Sequence, residues 1–401
     1  MTLIGLSLFI SFIKEETLII NSIVIQNSRP ENIVSLGLGE VVSNIEPESS
    51  SVEQVSDDSI FESKGKGIAL IIEKEGAALQ VQNEITRENG VFFSLVRNSD
   101  LYGILRSIRQ VEDRFNKRYH YDWVFANDKP FTLDFKKIVS KFVSGRSIFV
   151  ELTDEFWSIP EWIDKDRAKE VRKEMARQKI KYGNSESYRL MCRFNSGLFY
   201  KLPALQDYRY YWRIEPDIEY HCDIDYDPFK MMREENKIYG FTLAPLELHT
   251  TVETLWDTVK NYTQIFPQKL APNNNFLFLT DDEGENFNMC HFWSNFEIGD
   301  LEFFRSETYN HFFDYLDQIG GIFYERWGDA PIHTIAVSLL LPKDQLHFFQ
   351  NTGYFHNPNG DCPRNFDIRM EKNCDCNHKF DTTWGINSCI TKYFDVNGYE
   401  R

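Results

Sequence analysis

Between residues 90 and 152, short apolar runs alternate with longer segments that have the periodicity of amphipathic helices. The apolar run GVFFSLV (90–96) is typical of a buried strand, and YDWVFAND (121–128) and SIFVEL (147–152) predict a second and a third strand. The segments between them, DLYGILRSIRQVEDRF and LDFKKIVSKFV, carry apolar residues three and four positions apart. This β-α-β-α-β pattern predicts an α/β fold with a mainly parallel sheet covered by helices.

The next hundred residues predict two helices and a further strand. The charged segment 162–183 is expected to form a helix that ends at Gly183 as its C-cap, and the apolar segment 186–205 a second helix. YRYYWRI (208–214) is rich in aromatic residues and predicts a strand, which stops at Pro216 because proline cannot donate to a sheet ladder. Glu215 and Asp217 are therefore expected at the carboxyl end of a strand, where open α/β sheets bind ligands.

The N-terminal part of the chain has a different composition. MTLIGLSLFISFI is apolar, but as a helix it would extend about 20 Å, less than the roughly 30 Å of a bilayer core. We interpret residues 1–26 as a weak signal or anchor. Residues 27–84 are rich in serine and acidic residues, which predicts a flexible stem. The folded domain is expected to span residues 85–401.

Charge and cysteine content narrow the functional class. The formal net charge of −17 disfavours a nucleic-acid partner, which would require a basic face. Four of the seven cysteines, Cys362, Cys374, Cys376 and Cys389, lie in the last forty residues. The C-x-C spacing is unlike that of zinc sites, so disulfides and an oxidising compartment are the favoured interpretation. An odd number leaves at least one thiol unpaired, and the connectivity stays open.

An acidic stretch follows the strand at 208–214. It contains three acid-x-acid pairs: Glu215/Asp217, Asp223/Asp225 and Asp225/Asp227. Such a pair at a strand end suits Mn²⁺ or Mg²⁺, which prefer oxygen ligands and commonly bridge to nucleotide phosphates. The alternative is a solvated turn whose acids cap a helix or pair with Arg213 or Lys230. The last three acids precede Pro228 and are expected to be structural.

Several long motifs resemble one known family in the same order along the chain. They are LVRN (95–98), NDKPF (127–131), YGNSESYRLMCRFNSG (182–197), YYWRIEPD (210–217), CHFWSNFEI (290–298), ERWGDAPIHT (325–334) and the cysteine-bearing tail. From about Gly90 to its C-terminus the chain resembles the fungal glycolipid 2-alpha-mannosyltransferases, glycosyltransferase family 15. The resemblance implies a GT-A-type α/β fold with a mixed, mainly parallel sheet. It also implies a retaining, Mn²⁺-dependent α-1,2-mannosyltransferase that uses GDP-mannose and a mannose-terminated acceptor.

The resemblance also implies roles for residues of the metal site. In this family E-P-D replaces the usual D-x-D motif, so Glu215 is expected to bind the metal. Asp217 would hold the nucleotide or the water shell of the metal. The second metal ligand corresponds to His356 in GYFHNP, for which the alternative is a loop histidine that caps the following Asn-Pro turn.

Two residues are expected to act at the reacting sugar. Glu297 in WSNFEI corresponds to the proposed family nucleophile, which would stabilise the oxocarbenium-like transition state, with or without a covalent intermediate. A structural glutamate bonded to the neighbouring backbone or to Arg305 is the alternative. Tyr188 corresponds to a family tyrosine near the donor phosphate and the acceptor, although it could also be a core aromatic residue.

Four further residues are candidates for substrate binding. Arg193 could add positive charge beside the phosphates or form a surface salt bridge. Asp329 could bind mannose hydroxyls or act as an N-cap. Arg97 and Asn98, at the end of the first strand, are expected to contact the nucleotide. In contrast, His291 and His333 have apolar neighbours and are expected to be core histidines with satisfied hydrogen bonds.

The resemblance implies a type II membrane protein of the Golgi lumen, attached through its N-terminus. Family members usually carry a basic cytoplasmic tail and a full-length anchor, and this sequence shows neither. Two other functions stay open. One is a catalytically silent family member that binds or assembles mannan, and the other is a metal-dependent hydrolase of nucleotide sugars.

Overall fold

The computed structural model describes residues 87–400 and the backbone of two short strands, β1 (Ile72–Lys74) and β2 (Ala77–Leu79), which pair antiparallel. The predicted N-terminal segment 1–26 lies outside the described residues, as does the predicted stem 27–84 apart from these strands. Their assignments stay predictions. Within the described part of the chain, no helix has both the length and the apolar character needed to cross a membrane.

A seven-stranded mixed sheet forms the centre of the domain. In chain order its strands are β3 (Gly90–Leu95), β4 (Asp122–Asn127), β5 (Ser147–Glu151), β6 (Tyr210–Ile214), β8 (Tyr239–Phe241), β9 (Phe296–Asp300) and β10 (Leu346–Phe348). Their spatial order is β10-β8-β9-β6-β3-β4-β5. Strand β9 runs antiparallel to both of its neighbours, and the other pairs are parallel. This confirms the predicted α/β fold with a mixed, mainly parallel sheet.

Twelve α-helices accompany the strands within the described residues. They are α1 (Leu101–Arg114), α2 (Leu133–Phe142), α3 (Lys165–Arg177), α4 (Glu186–Gly197), α5 (Pro228–Glu234), α6 (Leu255–Ile265), α7 (Leu301–Arg305), α8 (Glu307–Ile319), α9 (Gly321–Tyr324), α10 (Asp329–Leu340), α11 (Phe366–Glu371) and α12 (Ile390–Asn397). Helices α1 and α2 connect β3, β4 and β5 as the hydrophobic pattern predicts.

The central strands are apolar on both faces because each face is covered. Alternate residues of a strand point to opposite sides of the sheet. Val91 and Phe93 join one hydrophobic cluster, whereas Phe92 joins a second cluster on the other face. There, Phe92 stacks on Trp123 with ring centroids 4.5 Å apart. Two-sided burial explains why these strands appear in the sequence as continuous apolar runs.

Two predicted helix boundaries are wrong. The charged helix ends at Arg177 instead of Gly183. Gly183 is needed for a different reason: a Cβ at this position would lie 2.7 Å from the Cβ of Met175. The apolar helix ends at Gly197, and two short 3-10 turns replace its predicted continuation to residue 205. Pro203 has no N–H to donate and cannot extend an α-helix at that point.

A small three-stranded sheet and two of three disulfides attach the C-terminal segment to the domain, and the third disulfide, Cys362–Cys376, closes a loop within that segment. Strand β11 (Tyr354–His356) pairs antiparallel with β7 (Glu219–Tyr220) and with β12 (Asn359–Gly360). The disulfides are Cys222–Cys374, Cys290–Cys389 and Cys362–Cys376. They confirm the prediction that these cysteines form disulfides and not a zinc site. Cys192 is the unpaired thiol that the odd number requires, and it is buried.

Asp361 gives the domain a pH-dependent stability. Its carboxylate accepts hydrogen bonds from the backbone N–H (2.8 Å) and hydroxyl (3.1 Å) of Thr352, and burial raises its pKa to about 6. An unfolded aspartate titrates near about 3.9, so the stabilisation is complete below that pH and is lost as the pH rises through about 6.

The Asp361→Asn variant should therefore lose less stability than wild type between about pH 4 and about pH 7. The expected difference is about 3 kcal/mol in the free energy of unfolding, measured by denaturant titration at each pH. Asp225→Asn, at an exposed carboxylate, is the control and should keep the wild-type profile. Equal pH profiles for wild type and Asp361→Asn would contradict the assignment.

Candidate active site

A cavity of about 660 Å³ lies at the carboxyl edge of the parallel strands. Arg97 follows β3, Asn127 ends β4 and Glu215 follows β6, so three neighbouring strands deliver residues to one wall. Further lining comes from the loops after β8 and β11, from residues within 181–191 and 291–295, and from the start of α10. This is the edge at which the sequence pattern predicts a ligand.

Glu215 faces this cavity and is oriented by Arg213. The guanidinium of Arg213 donates two hydrogen bonds to Oε1 of Glu215, the one from Nε measuring 2.8 Å. The second carboxylate oxygen, Oε2, takes part in neither bond. A carboxylate held in this way presents one oxygen to the cavity in a fixed direction.

His356 lies on the same cavity, at the end of β11. Its ring packs edge-on against Trp293 with centroids 5.2 Å apart. Burial lowers the pKa of His356 and the charge of Glu215 partly opposes this shift, so the neutral imidazole is favoured. Nδ1 is buried and has no hydrogen-bond partner. An unpartnered buried nitrogen is costly unless a ligand occupies it.

Glu215 and His356 fit the requirements of a divalent metal such as Mn²⁺. Both residues line the same cavity; Oε2 of Glu215 takes no part in the Arg213 hydrogen bonds, and the buried Nδ1 of His356 has no hydrogen-bond partner. Imidazole and carboxylate are both acceptable ligands for such an ion, and two protein ligands leave positions open for phosphate oxygens and water. The described residues contain no group of three or more His, Cys, Asp and Glu side chains placed to hold a metal. The site is thus of the open kind.

Asp217 is not brought to the cavity wall. Its backbone is in the left-handed region, with φ of 62°, and its N–H donates to the carbonyl of Gly103 at 3.3 Å. The carboxylate pairs with Arg106 on α1, and its side chain is 60% exposed. A Cβ on Gly103 would lie 2.9 Å from this carboxylate, so the glycine makes room for it. The nucleotide role predicted for Asp217 stays a prediction, which the observed contacts do not require.

The other acids of this stretch have structural partners. Asp227 is the N-cap of α5, accepting from the backbone of Phe229 at 3.0 Å. Asp223 pairs with Arg114 at 2.9 Å, and Asp225 lies 3.4 Å from Lys372. These contacts agree with the structural role predicted for the three acids.

Asp329 lines the cavity beside Glu215. Gly328 is the N-cap of α10, so the alternative of Asp329 as the cap is wrong. Oδ2 of Asp329 accepts hydrogen bonds from Arg213 (2.6 Å) and Ser294 (2.8 Å). Burial acts to raise the pKa of Asp329, but the Arg213 charge and these hydrogen bonds outweigh it and hold the pKa below its ordinary value. Asp329 is therefore an ionised acceptor on the cavity wall.

Glu297 is not part of the cavity wall. It lies on β9 opposite Arg213 of β6, and its side chain is only 1% exposed. Oε2 accepts from Tyr239 and contacts Nδ1 of His333, both at 2.9 Å, while Oε1 lies 3.6 Å from Arg213. The predicted nucleophile thus lies behind the guanidinium that Glu215 and Asp329 share. This arrangement supports a positioning role through Arg213 instead of direct attack on the sugar.

Tyr188 faces the cavity from the first turn of α4. Ser185 caps this helix by accepting from the backbone N–H of Tyr188 at 3.0 Å. The ring of Tyr188 stacks on Tyr182 with centroids 4.6 Å apart, and the guanidinium carbon of Arg326 lies 5.1 Å from its centroid. Burial raises the pKa of Tyr188, so its hydroxyl keeps its proton near neutral pH and acts as a hydrogen-bond donor.

The sequence analysis did not predict three polar residues of the cavity wall as site residues: Arg326, Glu247 and His291. Arg326 is buried, lies 3.5 Å from Glu247, and its Nε has no hydrogen-bond partner. His291 also lines the cavity with an unpartnered Nδ1, so its predicted satisfied state is wrong. His333, by contrast, is satisfied as predicted, through Glu297 and the carbonyl of Asn195. Arg326 and Glu247 lie in irregular segments without a hydrophobic period that would have marked them.

Of the three remaining residues predicted to bind substrate, one lies on the cavity wall and two lie away from it. Arg97 lines the cavity and contacts the hydroxyl of Ser187. Asn98 instead bridges two backbone groups, donating to Pro130 and accepting from Thr132 at 3.0 Å each. Arg193 forms a salt bridge with Asp317 at 2.9 Å, as the alternative expected, but this ion pair is buried and not on the surface. The substrate roles of Asn98 and Arg193 stay predictions that this geometry does not favour.

Comparison with known proteins identifies clear relatives. The family model described as Glycolipid 2-alpha-mannosyltransferase matches residues 50–398. The chain is 53% identical over 310 residues to Glycolipid 2-alpha-mannosyltransferase 1 of Candida albicans, covering 77% of this chain and 72% of that protein. It is 49% identical over 311 residues to Alpha-1,2 mannosyltransferase KTR1 of Saccharomyces cerevisiae, covering 78% and 79%.

Two solved structures share the fold. Core-mannan synthase A of Aspergillus fumigatus, solved in an Mn/GDP form, superposes with a TM-score of 0.73 at 35% identity, covering 84% of this chain and 100% of that one. The mannosyltransferase Ktr4p of S. cerevisiae in complex with GDP gives 0.74 at 36% identity, covering 79% and 83%. These similarities confirm the fold class predicted from the sequence.

Proposed function

The chain belongs to the glycolipid 2-alpha-mannosyltransferase family and is an alpha-1,2-mannosyltransferase, and we propose that GDP-mannose is its donor, a mannose-terminated glycan its acceptor and Mn²⁺ its cofactor. The observation that carries the proposal is that Glu215 and His356 line one cavity, and that Oε2 of Glu215 and Nδ1 of His356 are left without the hydrogen bonds that hold their neighbours. The Mn/GDP form of a solved relative supports the identity of the metal and nucleotide.

The charged residues on the cavity wall suit a nucleoside diphosphate, even though the chain as a whole has a negative net charge. Glu215 and His356 would hold Mn²⁺, which when bound neutralises the negative charge that develops on the departing diphosphate. Arg97 and Lys181 add positive charge on the same wall. The net charge of −17 would repel a diphosphate in the absence of such a local arrangement.

Tyr188 and Asp329 are placed to act on the sugars. The protonated hydroxyl of Tyr188 can donate to a diphosphate oxygen or to a mannose hydroxyl, and stacking on Tyr182 fixes the ring. Both side-chain hydrogen bonds to Asp329 fall on Oδ2, so Oδ1 can accept from a sugar hydroxyl. In the transfer the bond from C1 of mannose to the phosphate oxygen breaks and its electron pair leaves on GDP, while a bond from C1 to the acceptor oxygen forms and the acceptor proton passes to the departing diphosphate. The α configuration is retained.

Glu297→Gln separates the two roles open to this residue. Glutamine can still accept from Tyr239 and His333 but removes the charge behind Arg213. For a positioning residue we expect kcat to fall by no more than about tenfold, with kcat and KM measured under saturating Mn²⁺. A loss of more than about 10³-fold would instead assign Glu297 to the chemistry itself. Glu112→Gln, at another buried glutamate remote from the cavity, controls for effects on folding.

For the location we propose the Golgi lumen with N-terminal membrane attachment. The three disulfides support an oxidising compartment. Fluorescence microscopy of the full chain, with protease protection of sealed vesicles, tests the proposal. Protection of the C-terminal domain in Golgi membranes is expected, and a protease-sensitive domain would contradict it.

GDP release distinguishes transfer from the alternative functions. The full chain is incubated with GDP-mannose and Mn²⁺, with and without methyl α-mannoside, and GDP is quantified. We expect release to depend on the acceptor and to stop when EDTA removes the metal. Release that is unaffected by the acceptor would indicate a nucleotide-sugar hydrolase. Absence of release together with binding of mannan would indicate a catalytically silent protein.

A further inference from the structure

A second, smaller cavity adjoins the active-site cavity. It has a volume of about 220 Å³ and shares the wall residues Pro245 and Asn359 with the larger one. Its other walls come from the end of β8 and from the segment 381–388. Pro245 and Asn359 thus form part of the wall of both cavities. None of the roles assigned above uses the second cavity.

The segment 381–388 is held in place by contacts at both ends. Asp381 accepts from Arg364 at 2.8 Å and from the backbone of Thr383 at 3.0 Å. At the other end, Ser388 forms a β-bridge with Pro245, and the N–H of Cys389 donates to the carbonyl of Ala244 at 2.7 Å. The Cys290–Cys389 disulfide fixes the same end. The second cavity is thus preformed, which reduces the entropic cost of binding.

The lining combines aliphatic surface with amide groups that have no side-chain hydrogen bond within the described structure. Leu243 and Pro245 supply apolar surface on one side, and Ile386, which is 98% exposed, supplies it at the rim. Asn359 and Asn387 both line this cavity. An amide offers two donors and an acceptor, which suit vicinal hydroxyls, and aliphatic groups suit the C–H face of a pyranose.

We propose that the second cavity binds the hexose that is glycosidically attached to the acceptor mannose. This inference rests on the proposed function, since the acceptor mannose itself must occupy the larger cavity. Because Pro245 and Asn359 border both cavities, a sugar that extends past them from the larger cavity would lie beside Ile386 and Asn387. The cavity thereby selects disaccharide or longer acceptors over a single mannose.

The test compares two acceptors on the full chain. Wild type is expected to use methyl α-1,2-mannobioside with a kcat/KM about tenfold above that for methyl α-mannoside, a gain that corresponds to one or two hydrogen bonds. The double variant Ile386→Ala/Asn387→Ala should lose this gain and keep the wild-type rate with the monosaccharide. Ile265→Ala, at an exposed isoleucine remote from both cavities, should keep it.

Three outcomes would overturn the inference. The first is an equal kcat/KM for both acceptors in wild type, and the second is a higher kcat/KM for the disaccharide that survives in the double variant. The third is a higher kcat/KM for octyl α-mannoside alone, which would assign the cavity to an apolar aglycone. Saturation-transfer NMR of the two mannosides supplies a readout without turnover. Absence of transfer to every acceptor would refute the proposed function. In that case the inference about the second cavity would still be supported if the mannobioside binds to wild type and binds more weakly to the double variant.

Discussion

Replacing Glu215 by alanine is expected to abolish Mn²⁺-dependent binding of GDP and to lower turnover by more than about 10³-fold. The change removes one of the two protein ligands proposed for the metal, and His356 alone cannot hold it. It also removes the acceptor of two Arg213 hydrogen bonds. Isothermal titration of GDP with and without Mn²⁺ measures the first effect, and a GDP-release assay the second.

Two further variants show whether the effect comes from the metal. Glu215→Gln can keep the hydrogen bonds from Arg213 but lacks the charge, so it should also lose the Mn²⁺-dependent part of GDP binding. Asp225→Ala removes an exposed acid of the same stretch and should bind GDP normally. If Glu215→Ala binds GDP with normal affinity in Mn²⁺, the metal assignment is wrong.

Replacing Tyr188 by phenylalanine is expected to lower kcat by about 10²- to 10³-fold while donor affinity changes little. The ring keeps its stacking on Tyr182 and its contact with Arg326, so only the hydroxyl is lost. Because burial raises the pKa of Tyr188, that hydroxyl is a donor throughout the neutral pH range. Steady-state kinetics at saturating acceptor, with GDP affinity measured in parallel, test the prediction.

Tyr102→Phe serves as the control for this variant, because Tyr102 is highly exposed on α1 and lines neither cavity. Its kinetics should match those of wild type. A Tyr188→Phe enzyme with near-normal kcat would show that the tyrosine is a packing residue. A loss confined to KM would show that the hydroxyl binds substrate without acting in the chemical step.

The sequence predicts best those strands and helices whose hydrophobic pattern can be recognised within a short segment of the chain. Strands β3 and β4 are buried on both faces and the edge strand β5 is partly buried, so their apolar runs stand out from the helical periodicity of α1 and α2. The antiparallel placement of β9 has no such signal, because the pairing of Arg213 with Glu297 joins positions 84 residues apart in the chain. The sequence motifs identify Glu297 but cannot show that it lies behind Arg213.

The sequence also predicts some residues of the candidate site and misses others. The strand end and Pro216 place Glu215 at the ligand edge, and the family resemblance supplies His356, which the small sheet of β7 and β11 brings to the same cavity. Arg326 and Glu247 were missed because they lie in irregular segments whose positions depend on tertiary packing. Arg193 was predicted as a ligand, but its partner Asp317 lies on a helix more than a hundred residues away.

The linkage of the product tests the central claim most directly. The full chain is incubated with GDP-mannose, Mn²⁺ and methyl α-mannoside, and the purified product is analysed by NMR. We expect one new mannose, in the α configuration, on the 2-hydroxyl of the acceptor. Free mannose in place of a disaccharide, a β linkage or attachment to another hydroxyl would contradict the account.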